Sequence, residues 1–198
     1  MIKPIIFNTE MVRATLDGRK TVTRRLVKPQ PEVDNIGLFH WKCFSDIVGV
    51  NELRFKLSKS KHAPYQPDDI LYVRETFVQA ARHIFWYKAD DKDFLKNCKS
   101  WKPSIHMPKE AARIWLKVTD VRVERLQEIT ADGIRREGLS SMAVHAGDME
   151  IAIKEWELLW NSTIKKSDLS SYGWEANPWV WVVEFIKIDK QEEKYHAE

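Results

Sequence analysis

The side chains best suited to chemistry in this sequence lie close together in residues 17–25. The segment places four cations within seven residues and reads Asp17-Gly18-Arg19-Lys20-Thr21-Val22-Thr23-Arg24-Arg25. A threonine hydroxyl is a weak nucleophile until a neighbouring base takes its proton. A lysine can be that base when desolvation and nearby arginines lower its pKa. Lys20 and Thr23 are therefore a candidate base and nucleophile, with Arg24 and Arg25 beside them.

The same segment also fits a purely structural role. A densely basic strand at the edge of a sheet deters aggregation. In a regular strand, Lys20 and Val22 would point to one face, and Thr21 and Thr23 to the other. Lys20 can therefore meet Thr23 only if the chain after Gly18 is not yet regular strand, and the residues alone leave both interpretations open.

The elements that must hold this segment follow from the apolar pattern. Gly18 ends a helix predicted over residues 10–17 and capped by Asn8 or Thr9. Thr130 caps a second short helix ending near Arg136, and Asp148 caps a third. We expect strands near residues 3–7, 20–27, 69–77, 113–125 and 179–188. Because strands and helices do not alternate regularly, the pattern favours a mixed or antiparallel barrel over a doubly wound sheet.

Two further expectations concern the strands. In residues 113–125 the apolar positions change parity at Thr119-Asp120, which predicts a bulge there. Residues 29–66 are less regular, and we interpret them as an insertion that carries a second strand-like run over residues 52–57.

The strand over residues 69–77 turns one carboxylate inward. Leu71, Val73, Glu75 and Phe77 share a face and three of them are apolar, so Glu75 should be buried. A buried carboxylate must be paired or hydrogen-bonded. An ion pair with an arginine is the favoured interpretation, and a place in a functional site is the alternative.

An aromatic loop precedes the last strand, over residues 172–179. Tyr172 or Trp174 could stack on a base, as aromatic side chains do in RNA recognition. The alternative is a loop that its aromatic side chains pin to the core.

Four stretches in this order resemble the ASCH domain family, in particular its larger phage- and prophage-associated members. Gly18-x-Lys20-x-x-Thr23-x-Arg25 is similar to the family signature G-x-K-x-x-E-x-R. Residues 67–75 resemble its central strand, with Asp68 in place of a glycine; residues 130–139 resemble its helix end at Glu137-Gly138, and residues 179–188 its closing strand. The resemblance implies an α+β fold, a PUA-like mixed β-barrel with short flanking helices. It implies one domain over residues 1–189 with insertions near 29–66 and 83–107, and a flexible tail over 190–198.

The resemblance also implies a function. ASCH proteins that are N(4)-acetylcytidine amidohydrolases have a threonine where most members have glutamate, and they use a lysine, a threonine and a glutamate in catalysis. The positions of this sequence that match these three residues are Lys20, Thr23 and Glu137. The expected substrate-binding residues are Arg24, Arg25, Glu75, Tyr172 and Trp174.

Two alternatives remain open beside the amidohydrolase. One is a non-catalytic RNA- or modified-base-binding module, in which Lys20, Arg24 and Arg25 contact phosphates. The other is a ribonuclease, an activity also described in the family.

Composition argues against disulfide-bonded, metal-binding and membrane-spanning classes of protein. The chain has 198 residues, 43% of them hydrophobic, and a net charge of +3, which by itself does not imply nucleic acid. Cys43 and Cys98 lie in no C-x-x-C spacing, so we expect no disulfide and a reducing, cytoplasmic compartment. The six histidines show no metal-ligand spacing, and no apolar stretch has membrane-spanning length. We therefore expect no metal, cofactor or membrane partner. The family resemblance implies a nucleoside or RNA as ligand.

Overall fold

The core of the protein is one mixed sheet. A computed structural model describes residues 1–41, 48–90, 93–95, 100–139 and 147–189. The five strands of this sheet stand in the order β1 (Ile2–Ile6), β5 (Ile70–Arg74), β8 (Trp115–Arg125), β9 (Trp179–Ile188) and β2 (Val22–Leu26). β1 and β5 are parallel, whereas the other neighbours are antiparallel. With its few helices, this sheet confirms the predicted α+β class.

The two edge strands of the sheet, β1 and β2, approach each other. Arg25 on β2 donates from Nη2 to the carbonyl of Ile6 on β1 at 2.9 Å. Within the described ranges β1 and β2 are not paired, so the sheet does not close into a barrel. The edge of β1 is protected, because Pro4 has no N–H and its carbonyl accepts the Tyr65 hydroxyl at 2.9 Å.

β9 is covered on both faces, as its continuous apolar run predicts. Trp181 and Val183 belong to the main core, together with Phe7 of the segment after β1. The alternate residues Val180 and Val182 belong to a second core on the other face of the sheet.

Three helices begin where the sequence places their caps. α3 (Ala131–Arg136) has Thr130 as its N-cap, and α4 (Met149–Thr163) has Asp148. α1 (Thr9–Leu16) begins at Asn8, whose side chain accepts from Met11 N at 2.8 Å. These three predicted helices are confirmed.

The strand expected over residues 52–57 is wrong. The chain forms a helix there, α2 (Val50–Ser58), which follows the short hairpin β3 (Glu32–Val33) and β4 (Phe39–His40). Leu53 and Leu57 are both fully buried, and residues four apart share one face of a helix. Leu53, Phe55 and Leu57 alternate as in a strand, but this alternation is misleading because Phe55 is 64% exposed on the outer face of the helix.

The bulge predicted in β8 is confirmed. Val118 pairs with Phe185 and Asp120 with the next residue, Glu184, so Thr119 is the additional residue. The bulge lets Val118 and Val121 face the same main core despite their opposite parity.

The remaining described elements are peripheral. β6 (Phe77–Ala81) and β7 (Ile84–Tyr87) form a separate hairpin, and α5 (Leu169–Tyr172) leads into the loop before β9. No helix in the described part has the length and apolar character needed to span a bilayer. The single-domain assignment stays a prediction, and Cys43, Cys98 and residues 190–198 lie outside the described residues.

Candidate functional site

An irregular turn between α1 and β2 positions Lys20. Gly18 has φ +75°, a left-handed conformation that glycine adopts without strain. The backbone N–H groups of Arg19 and Lys20 both donate to Ala14 O, each at 2.9 Å. Regular strand begins only at Val22, so the side chain of Lys20 is free of the strand alternation.

The ammonium group of Lys20 is buried against the end of α3. Nζ donates to Val22 O at 2.8 Å, to Glu137 O at 3.0 Å and to Glu137 Oε2 at 2.6 Å. It also lies 5.5 Å from the centroid of the Phe7 ring. A lysine ammonium has three donors, and these three contacts use all of them.

Glu137 joins Lys20 to Arg24. Its Oε1 accepts from Arg24 Nη1 at 3.2 Å, while Arg24 Nη2 lies 3.3 Å from Glu124 Oε2. The side chains of Lys20, Arg24 and Glu137 are each exposed by 3% or less. We call Lys20, Arg24, Glu137 and the marginal Glu124 the buried ion cluster.

Gly138 allows the buried ion cluster to form. It follows Glu137 with φ +98°, and a Cβ there would lie 2.7 Å from the Ala14 Cβ, too close for any real contact. Only glycine lets the end of α3 pack this closely on α1. The Glu137-Gly138 pair singled out in the sequence therefore has a steric basis.

Burial controls the protonation of Lys20. Desolvation lowers the pKa of Lys20, and Arg25 and Arg24 lower it further, while the Glu137 carboxylate opposes the change. The balance leaves the pKa below its ordinary value. Lys20 is thus easier to deprotonate than a surface lysine, as a base requires.

Thr23 lies on the other face of β2. It pairs with Val183, and directly opposed residues of antiparallel strands share a face, so Thr23 points into the main core. It is 1% exposed. Among the described residues, none of the hydrogen bonds of Lys20 Nζ goes to Thr23. The structure therefore brings Lys20 and Glu137 together, and no described hydrogen bond joins Thr23 to either of them.

A narrow apolar crevice lies beside the buried ion cluster. Its volume is about 180 Å³, and it is bounded by α1, α4 and the residues after α3, namely Asn8, Glu10, Met11, Ala14, Glu137, Gly138, Leu139, Trp156 and Leu159. Glu137 is the member of the ion cluster that reaches it.

Glu75 takes the ion-pair role favoured from the sequence. It is 1% exposed and accepts from Arg113 Nε at 2.9 Å and Nη2 at 3.0 Å. Arg113 also reaches Asp90 Oδ1 at 2.6 Å and lies over the Tyr87 ring at 4.0 Å. Burial raises the pKa of Glu75 despite the opposing guanidinium.

The aromatic loop before β9 is held by α4 and its neighbours. Trp174 N donates to Asn161 Oδ1 at 2.9 Å, and its ring packs on the second core. The carbonyl of Tyr172 accepts from Trp160 Nε1 at 2.8 Å. The Tyr172 ring lies 4.8 Å from Lys28 Nζ, so this residue belongs with Lys28 and not with the buried ion cluster.

A cleft opens where β1 and β2 fail to pair. It has a volume of about 420 Å³ and is lined by Pro4, Ile6, Arg25, Leu26, Lys28, His62, Pro64, Tyr65, Arg74 and Trp181. We call this set the basic cleft. Arg25 is the one sequence-predicted site residue in it, whereas Arg24 points to the opposite face of β2.

The cations of the basic cleft have only neutral partners. Arg25 Nη2 donates to Ile6 O, Arg74 Nη2 donates to Ile105 O, and Lys28 lies over an aromatic ring. In the described part of the chain none of the three forms a salt bridge. The described residues that line the cleft include no carboxylate. Uncompensated positive charge in a concave site attracts anions.

Sequence reasoning missed most of the basic cleft. Arg74 could have been found, because Leu71 and Val73 face inward and the alternation turns Arg74 outward. Lys28, Tyr65 and Trp181 come from three further segments and show no shared spacing.

Comparisons with known proteins gave no relative for this chain. No protein-family model, no curated protein and no solved structure matches it. Across the described ranges, no group of three or more histidine, cysteine, aspartate or glutamate side chains is arranged to hold a metal ion.

Proposed function

We propose that this chain is an RNA- or nucleoside-binding module whose ligand enters the basic cleft. The observation that carries the proposal is the uncompensated charge of Arg25, Lys28 and Arg74 in one concave site. Elsewhere in the protein the arginines Arg24, Arg113 and Arg122 are paired with carboxylates. The cations of the cleft are therefore available to an anionic ligand.

A PUA-like architecture fits this proposal. The sheet curls until Arg25 bridges its two edges, as in a barrel that is open on one side. An opening between edge strands offers a ligand both backbone groups and side chains from several elements. The family resemblance of residues 17–25 supports the same architecture.

Binding of labelled single-stranded RNA and of acetylated and plain cytidine tests the proposal. We expect saturable binding that weakens as salt is added, because phosphate contacts release counterions. Lys28→Ala should weaken binding, whereas Lys154→Ala should not, since Lys154 is 70% exposed on α4 outside the cleft. Equal losses in the two variants would defeat the assignment to the cleft.

The second candidate is an amidohydrolase that removes the acyl group of an acylated cytosine. It is favoured by one observation, the buried Lys20 with a lowered pKa and Glu137 at 2.6 Å. In this reaction Lys20 takes the proton of Thr23 as Oγ attacks the amide carbon. The C–N bond then breaks, the leaving amine takes up that proton, and water hydrolyses the acyl-threonine ester.

The amidohydrolase requires Thr23 to turn toward Lys20. Purified protein mixed with acylated nucleosides, followed by chromatography, tests the activity. Thr23→Val should abolish it while preserving the fold, since removing a nucleophile costs several orders of magnitude in kcat. Deacylation at the wild-type rate by Thr23→Val would exclude this mechanism.

A further inference from the structure

We infer that the basic cleft holds one nucleotide unit and that a phosphate group is required for binding. This inference rests on the proposed nucleic-acid function and names its ligand. It follows from three properties of the cleft: its charge, its aromatic surface and its size.

The charge of the cleft fits one phosphate group. Arg25 uses one of its guanidinium donors on Ile6 O, and Arg74 uses one on Ile105 O. Arg74 Nε is buried and has no hydrogen-bond partner in the described residues. Several donors thus remain on two guanidinium groups, with the ammonium of Lys28 beside them. Such groups bind phosphate oxygens strongly.

The aromatic surface fits a single base. The Tyr65 hydroxyl is fixed by its bond to Pro4 O at 2.9 Å, which holds the ring in the wall of the cleft. Trp181 borders the same lining from the main core, but it is 3% exposed and its ring presents no open face. A base has a π-face that can pack on the Tyr65 ring whatever the identity of the base.

The size of the cleft favours a single unit over a running strand. The volume of about 420 Å³ lies at the lower end of the range of roughly 300–1,000 Å³ for small-molecule sites. The bond from Arg25 to Ile6 O crosses the gap between β2 and β1. A strand that passed between β1 and β2 would have to break this bond. The ligand is therefore a free nucleoside monophosphate or the phosphorylated end of a strand.

Calorimetric titration of the full chain tests the inference. The probes are the four nucleoside 5′-monophosphates, the matching nucleosides, inorganic phosphate, and a pentanucleotide RNA with and without a 5′-phosphate. We expect at least one monophosphate to bind ten or more times tighter than its nucleoside. Lys28→Ala should reduce this affinity about tenfold, and the matched control Lys154→Ala should leave it unchanged.

The arms of the experiment separate the two sources of phosphate. Tight binding of the 5′-phosphorylated pentanucleotide but not of its unphosphorylated form identifies a strand end, and tight binding of monophosphates alone identifies a free nucleotide. For a strand bound through one or two phosphates, the slope of log K against log salt should be about −0.7 to −1.4.

Failure of the inference differs from failure of the proposed function. Nucleosides that bind as well as their monophosphates overturn the phosphate requirement but leave a nucleoside-binding module. A salt slope steeper than about −3, the value for more than four contacts, overturns the single-unit site in favour of a long RNA surface. Absence of binding by every probe overturns both.

Discussion

Arg24 and Arg25 are neighbours in one strand, yet they belong to two different regions of the molecule. Arg24 lies in the buried ion cluster, where Glu137 and Glu124 neutralise it. Arg25 lies in the basic cleft, where its described partner is a backbone carbonyl. Because successive side chains of a strand point to opposite faces, Arg24 and Arg25 lie on opposite faces of the sheet.

The comparison shows that a run of cations in sequence can serve two purposes at once. In the buried ion cluster each charge must be paired, because an isolated charge in the interior costs several kcal/mol. In the basic cleft solvent screens the charges, so they can remain unpaired until an anion binds. A cation that is paired with a carboxylate has a structural role here, whereas a cation without such a partner is available to bind a ligand.

The largest expected effect comes from breaking the buried ion cluster. Glu137→Ala leaves Lys20 and Arg24 buried without their shared carboxylate. We expect the free energy of unfolding to fall by about 3–5 kcal/mol, the usual cost of removing one partner of a buried ion pair. Urea denaturation measures this loss.

Glu150→Gln is the control for this change. Glu150 is 84% exposed in its pair with Lys154, so its loss should change stability by no more than about 0.5 kcal/mol. Similar losses for the two variants would show that the buried pairing contributes little.

The sequence predicts some parts of this architecture well because they have local causes. The caps of α1, α3 and α4 are set by single side chains, and the bulge at Thr119 follows from a change of parity in one strand. The Lys20–Glu137 contact joins residues 117 apart and was expected only through a family resemblance.

Other parts could not be predicted because they depend on the tertiary arrangement. The helix over residues 50–58 was mistaken for a strand, since Leu53 and Leu57 become a buried face only when β8 lies opposite. The basic cleft exists only because β1 and β2 approach without pairing. No local pattern specifies that gap, and its lining comes from distant segments.

A smaller effect should separate the two neighbouring arginines. Arg25→Ala should weaken ligand binding about tenfold through the loss of a charged hydrogen bond, and leave stability within about 0.5 kcal/mol. Arg24→Ala should do the reverse, with a loss of about 2 kcal/mol in stability and unchanged affinity. Titration calorimetry and urea denaturation of both variants measure the two quantities. A weaker affinity in Arg24→Ala, or a large loss of stability in Arg25→Ala, would remove the distinction between the two regions.

The smallest effect concerns pH. Because burial lowers the pKa of Lys20 in the folded protein, the unfolded chain binds more protons between that value and the ordinary lysine pKa near 10.5. Lys20 must then make the free energy of unfolding rise with pH between its lowered pKa and the ordinary lysine pKa, by at most about 1.4 kcal/mol per pH unit. Lys20→Met should lack this contribution. Urea denaturation at several alkaline pH values gives the free energy of unfolding of the wild-type protein and of Lys20→Met. If this free energy changes with pH in the same way in both proteins, the lowered pKa is contradicted.

Amide chemical shifts of the full chain during titration with nucleoside monophosphates test the central claim most directly. The account predicts the largest shifts around the basic cleft, at Ile6, Arg25, Lys28 and Tyr65, with little change at Gly138 and Leu139. The largest shifts at Gly138 and Leu139, beside Glu137, with none around Arg25, would place the ligand at the buried ion cluster and contradict it.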